Sequence, residues 1–234
     1  MNGQPNVAPG VDVISQYEIA QGYTQAAAAA ELGYYQAYQS ENGQLATSSA
    51  TLSLDPTGPR WAGDTVTFNF ATGPTTGPAP VSSAIPSQDQ TVIEQAMSSW
   101  AAVSGVTFQA VANSATADIT FGWGDFGTAS SNMIGDTMLL QSSGLGQPGS
   151  VVRLEDPAET ALYTDANANL AYANTGDATL YQVALHEVGH ALGLSDTSDP
   201  GSAMYYSLGA SNPALDATDI AAVQAVYGTP AHPH

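Results

Sequence analysis

The chain has 234 residues, 43% of them hydrophobic, enough for one substantial domain with its own core or for one domain plus an extension. Its formal charge of −19 sets 21 acidic residues against Arg60 and Arg153, with no lysine, so it lacks the clustered cations that nucleic acid or an anionic membrane surface would need. There is no cysteine for a disulfide, and no apolar run approaches the roughly 20 residues that span a bilayer, which excludes membrane insertion.

Residues 1–10 are rich in Pro, Gly and Asn and read as a loose terminus. Residues 12–40 are helix-prone, with alanines at 26–30 and tyrosines that include Tyr23, Tyr34, Tyr35 and Tyr38 available for packing. Residues 41–64 are polar and turn-rich, and the main domain is predicted to start near Trp61 and to run over residues 61–234. Val66, Phe68 and Phe70 alternate as a first strand, and residues 72–86 read as a loop. Ser87 and Gln90 have the spacing of a capping box. Ile93, Met97, Trp100 and Val103 then form an apolar helix face, which Gly105 closes.

Strands follow at Val106, Phe108 and Ala110, at Ile119, Phe121 and Trp123, and over residues 133–140 and 150–154. Residues 155–178 carry Glu155, Asp156, Glu159, Asp165 and Asp177. Their carboxylates make Ca²⁺ a candidate ligand, although no EF-hand spacing is present and a solvated acidic loop is the simpler reading. A second helix opens with a capping box at Thr179 and Gln182. Asp216 caps a last helix packed through Ile220, Val223 and Tyr227 and ended by Gly228 and Pro230. The order predicts an α+β fold, a mixed twisted sheet over the second helix. Residues 61–193 form an upper subdomain and 194–234 a small lower one.

The chemistry concentrates in His186-Glu187-Val188-Gly189-His190-Ala191-Leu192-Gly193-Leu194-Ser195-Asp196. Each helical residue turns the chain by about 100°, so His186 and His190 return to one face, one turn apart, where two imidazoles can hold one Zn²⁺. Glu187 stands beside them as a candidate general base for water. Gly193 permits a left-handed exit from the helix. That turn can bring Asp196 back as a third ligand, with Asp199 as the fallback; an aspartate just past a helix end is otherwise a turn residue. Only four histidines occur in the chain, and two of them fall in this helix. His232 and His234 lie in a tail that reads as frayed and solvated.

With Met204 downstream in Ser202-Ala203-Met204-Tyr205-Tyr206, the site resembles that of the metzincin metallopeptidases, whose motif is H-E-x-x-H-x-x-G-x-x-H followed by a methionine turn. The resemblance covers residues from about 61 to 229. It implies a metzincin-like zincin fold of the serralysin and matrixin kind, with Met204 as the floor beneath the metal. It also implies a zinc-linked, oxyanion-stabilising role for Tyr206, as in serralysins and astacins; a packed aromatic with a solvated hydroxyl is the plainer reading. The chain departs from the pattern at Asp196, where the family has histidine; the snapalysin branch carries aspartate there. The glycine- and aspartate-rich calcium repeats that follow serralysin domains are missing, which reads as a chain without that module or as a fragment.

The expected function is therefore a zinc-dependent endopeptidase. Its substrate would be a protein or peptide, held in extended form along an exposed strand for which residues 150–154 are the candidate. Residues 1–60 read as an N-terminal helical extension, either a bracing segment or a propeptide over the cleft; scattered aspartates are its only candidates for blocking zinc, which favours bracing. The resemblance suggests a secreted, bacterial-type monomer, although no signal peptide is read at the start of the chain. The alternatives are a non-catalytic zinc-stabilised module of a larger secreted protein, against which Glu187 argues, and an aspzincin. The short gap from His190 to Asp196, with Met204 after it, favours the metzincin branch.

Overall fold

The computed structural model describes residues 60–70, 80–112, 117–126, 128, 133–142, 145–173, 175 and 178–233. The predicted N-terminal helix, most of the 72–86 loop, Asp177 and His234 lie outside the described residues.

The central sheet is built from β1 (Thr65–Asn69), β2 (Thr107–Ala110), β3 (Ile119–Gly124), β4 (Gly135–Met138) and β7 (Ser150–Glu155). Their spatial order is β2-β1-β3-β7-β4. The first four strands run parallel, and β4 closes the edge antiparallel to β7, with Asp136 opposite Arg153. Two short pairs stand apart from this sheet: β5 (Gln141–Ser142) with β6 (Leu145–Gly146), and β8 (Leu162–Thr164) with β9 (Leu170–Tyr172). The second is a hairpin inside the acidic segment. The mixed sheet and its helices bear out the predicted α+β class.

The candidate substrate edge needs correction. Strand β7 is interior, between β3 and β4, and all six of its residues are buried. A parallel strand covered on both faces loses the in–out alternation that marks a one-sided strand. The polar residues of β7 are buried because each finds a partner. Ser150 Oγ accepts from Leu140 N at 3.0 Å, and Arg153 Nε donates to Asp136 Oδ1 at 2.7 Å. The edge on the side of β7 is β4, which has no second strand partner among the described residues.

Helix α1 (Ser87–Val103) buries Ile93, Ala96, Met97 and Trp100, one stripe at helical spacing. Its start differs from the predicted capping box. Pro86, in an extended conformation, is the N-cap, and its carbonyl accepts from Asp89 N and Gln90 N. Ser87 is thus already helical, and the Gln90 amide donates to Ile85 O instead. The helix closes one residue earlier than expected, at Ser104, whose hydroxyl donates to Trp100 O at 2.8 Å.

Helix α2 (Leu180–Ala191) lies against α1 and beneath the sheet. Trp100 Nε1 donates to Leu185 O at 2.8 Å, and Val183, Ala184, Leu185 and Val188 enter the same core as Phe121, Val152 and Leu154. Helix α3 (Ala217–Tyr227) follows the methionine turn. The chain then ends in a two-residue pairing of β10 (Gly228–Thr229) with β11 (His232–Pro233), where the exposed His232 lies; it is paired rather than frayed.

Candidate metal centre

Helix α2 starts where the sequence places it. Gln182 N donates to Thr179 Oγ1 at 3.1 Å, and Thr179 N donates to Gln182 Oε1 at 3.0 Å, so the capping box is complete. The other end of the Gln182 side chain reaches out of the helix, donating to Gly209 O at 2.7 Å and Asn212 O at 3.2 Å. One residue therefore both starts the helix and ties it to the loop after the methionine turn.

At its far end the helix breaks at Gly193, whose φ of +89° is the left-handed conformation that glycine tolerates. The chain reverses, and Thr197 N donates to Met204 O at 2.8 Å. This closes a short loop that carries Asp196 back beneath α2. His186, His190 and Asp196 each offer one ligand atom, and these atoms lie within 4.8 Å of one another. No other group of three metal-ligating side chains gathers among the described residues. Asp199 turns away, its Oδ1 accepting from Gly201 N at 3.0 Å.

The chemistry of this set fits a divalent cation. His186 Nδ1 donates to Ala203 O and His190 Nδ1 to Leu194 O, each at 2.9 Å, so backbone carbonyls fix both tautomers and leave both Nε2 lone pairs pointing inward. The two Nε2 atoms are 3.0 Å apart, and Asp196 Oδ1 is 3.3 and 3.4 Å from them. Asp196 Oδ1 is buried and accepts no hydrogen bond among the described residues. Three electron-rich atoms so close repel unless a positive charge stands among them. A tetrahedral zinc at about 2.0–2.1 Å from each ligand holds its donors roughly 3.3 Å apart, close to the spacing here.

Below the histidines, Met204 is 2% exposed, and its sulfur lies directly against Gly189, between the two imidazole-bearing positions. The turn that carries it is held from α3. Asp219 accepts from Ala203 N at 2.8 Å, from Met204 N at 3.3 Å and from the Ser202 hydroxyl. Since Ala203 O orients His186, the last helix reaches the candidate ligands through this turn. Tyr206 is half-buried, and its hydroxyl accepts from Tyr205 Oη at 2.7 Å.

Glu187 is 4% exposed, and burial raises its carboxyl above the ordinary range, against the pull of the two imidazoles and the Thr137 hydroxyl. Thr137 Oγ1 lies 2.8 Å from Glu187 Oε2. Sequence reasoning missed Thr137, Gly135 and Asp219. A polar residue in a short strand carries no local mark of the helix it will face, and Asp219 was legible only as part of a helix start.

A mixed sheet over a helix bearing His-Glu-x-x-His, with an oxygen donor returned by the next turn and a buried methionine below, is the arrangement expected of the metzincin class. The sequence pattern of the matrixin peptidases matches residues 60–228. The chain belongs to the matrixin family.

It is similar to metalloendoproteinase 1-MMP of Arabidopsis thaliana, 31% identical over 175 residues, which are 73% of this chain and 45% of that protein. It is also similar to the interstitial collagenase of Oryctolagus cuniculus, 31% identical over 189 residues, 79% of this chain and 36% of that protein. A shorter stretch of 81 residues, 33% of this chain and 15% of the relative, is 41% identical to the neutrophil collagenase of Homo sapiens. The chain thus spans less than half the length of these relatives.

Proposed function

We propose that this chain is a secreted zinc-dependent endopeptidase whose metal is held by His186, His190 and Asp196. The observation that carries the reading is the inward convergence of two imidazole Nε2 atoms and a carboxylate oxygen beside the buried Glu187. Asp196 takes the position that histidine occupies in most metzincins, as in the snapalysin branch, and its negative charge makes the zinc less electrophilic. When bound, zinc supplies Lewis acidity for polarising the scissile carbonyl and acidifying water. Glu187 accepts the proton of the attacking water and passes it to the leaving amine. Tyr206 hydrogen-bonds the developing oxyanion. An extended substrate adds to the edge strand β4 by main-chain pairing.

The test is digestion of casein or gelatin with and without a chelator. Cleavage that stops on chelation and returns with Zn²⁺ supports the reading; a zinc-loaded chain that cleaves nothing favours a non-catalytic zinc-stabilised module. The Glu187→Gln variant is expected to keep zinc and lose cleavage by about two to four orders of magnitude, the usual worth of a general base. Asp196→Ala is expected to lower zinc occupancy, measured by metal analysis after dialysis. Unchanged occupancy would remove Asp196 from the ligand set.

A further inference from the structure

The edge strand β4 faces α2 with alternate residues, since successive side chains of a strand point to opposite sides. Asp136 and Met138 turn to the far side, Asp136 onto Arg153 and Met138 onto Val81 and Val151. Gly135 and Thr137 face the helix, and both meet Glu187. A Cβ added at Gly135 would stand 2.6 Å from Glu187 Oε1 and 2.9 Å from its Cγ, so the strand comes as close as a bare backbone allows. Thr137 is 2% exposed. Its single hydroxyl proton has two acceptors, both on Glu187: the carboxylate Oε2 at 2.8 Å and the main-chain carbonyl at 2.9 Å.

A buried hydroxyl needs one acceptor, and the main-chain carbonyl would satisfy it. The second contact is the informative one. The carboxylate is the stronger acceptor of the two, because a hydrogen bond to a charged group is shorter and stronger than one to a neutral carbonyl. The bond also restrains a long side chain that a helix alone leaves free to rotate. Among the described residues, Oε1 takes no hydrogen bond, so the two oxygens are unequal: Oε2 is held and Oε1 is left to work.

We propose that Thr137 is a positioning residue for the reaction, holding Glu187 Oε2 so that Oε1 receives the proton of water, while Gly135 leaves the notch in which that carboxylate sits. The assignment rests on reading Glu187 as the general base. Thr137 touches neither the candidate ligands nor the substrate's reacting atoms, and acts only through Glu187.

The experiment compares the full-length parent with T137A, T137S and E187Q on a quenched fluorescent peptide, each loaded with Zn²⁺. Zinc affinity by chelator competition and the melting temperature are measured alongside. T137A is expected to lower kcat about ten- to a hundredfold, the scale of a misplaced catalytic group. Its KM is expected to stay within about twofold, because no substrate contact is removed. T137S restores the hydroxyl and is expected to recover kcat to within about threefold of the parent. Zinc affinity stays at the parent value in both. In the E187Q background, T137A is expected to cause no further loss of kcat.

E187Q inactive with T137A at the parent kcat overturns the role of Thr137 alone. So does a T137A defect that T137S does not recover, or one that persists unchanged in the E187Q background, since these mark a purely structural residue. E187Q as active as the parent overturns the reading of Glu187, and the role of Thr137 with it.

Discussion

At the scale of single residues, the site depends on two glycines that let one element approach another. Gly189 lies between the candidate ligands on α2, and a Cβ there would overlap the Met204 sulfur and stand 3.0 Å from Trp100 Cζ2. Alanine is the better helix former by about 1 kcal/mol. Overpacking against a buried methionine and tryptophan is expected to outweigh that gain. G189A should therefore melt lower than the parent, by the equivalent of about 1–3 kcal/mol, in a thermal scan of the metal-free protein. G189A melting higher would show that Met204 moves aside freely. Gly135 is a different case, because an added methyl meets the end of Glu187 as well as Val183 Cγ1 at 2.9 Å. G135A is expected to lower kcat more than it lowers stability, read by peptide cleavage beside a thermal scan.

At the scale of elements, α2 is held at each end by a different device. Its start is a local capping box, and losing Thr179's side chain is expected to cost about 1 kcal/mol, as N-cap deletions do. Gln182 should cost more. Besides its part in the box, it donates to Gly209 O and Asn212 O, and a buried carbonyl without a partner carries a penalty of about 1–3 kcal/mol. Urea denaturation of T179A and Q182A tests the order. Equal losses would mean that the bonds to the 209–212 segment contribute nothing.

The far end of α2 is fixed from outside the helix. Trp61 Nε1 donates to Ala191 O at 2.8 Å, and Tyr227 Oη donates to Leu192 O at 2.9 Å while accepting from Trp61 N. The last carbonyls of the helix are thereby satisfied by the first strand region and the final helix. Sequence position alone would not associate three elements so far apart.

For the molecule as a whole, charge and buried phenols set the response to solution conditions. A formal charge of −19 with two arginines repels itself in the compact state. Raising ionic strength from 0.01 to 0.15 M shortens the screening length from about 30 to about 8 Å. The melting temperature should therefore rise with NaCl; no rise would mean that the acidic groups lie too far apart to matter.

Tyr227 responds to alkali. Burial pushes its hydroxyl up to about 12 from an ordinary value of 10.0. The folded state thus favours the neutral phenol, and the unfolded chain ionises first as pH rises. This contribution is fully present below pH 10 and is lost as pH climbs toward about 12. A two-unit difference amounts to about 3 kcal/mol. Y227F should be less stable than the parent at neutral pH but lose stability less steeply above pH 10, measured by denaturant titration at several pH values.

Much of the candidate site is legible in the sequence because helix geometry is local. His186, Glu187, His190, the Thr179–Gln182 box, the glycine exit and Met204 all occur within 26 consecutive residues, 179–204, and need only the helical repeat and turn chemistry to be recognised. The α+β class followed from the order of the elements for the same reason. The neighbours of each strand were not legible. Residues 150–154 are the candidate edge on sequence, whereas tertiary partners bury Ser150 and Arg153 in the middle of the sheet. The first helix also began elsewhere, with Pro86 supplying the cap that Ser87 was expected to supply. Thr137 is the sharpest case. It stands 50 residues from Glu187, and no spacing rule relates them. Local stereochemistry decided which residues can bind a metal and move a proton, while packing of a distant strand decided which hydroxyl holds the carboxylate, because sheet order is set by burial between segments that the chain itself keeps far apart.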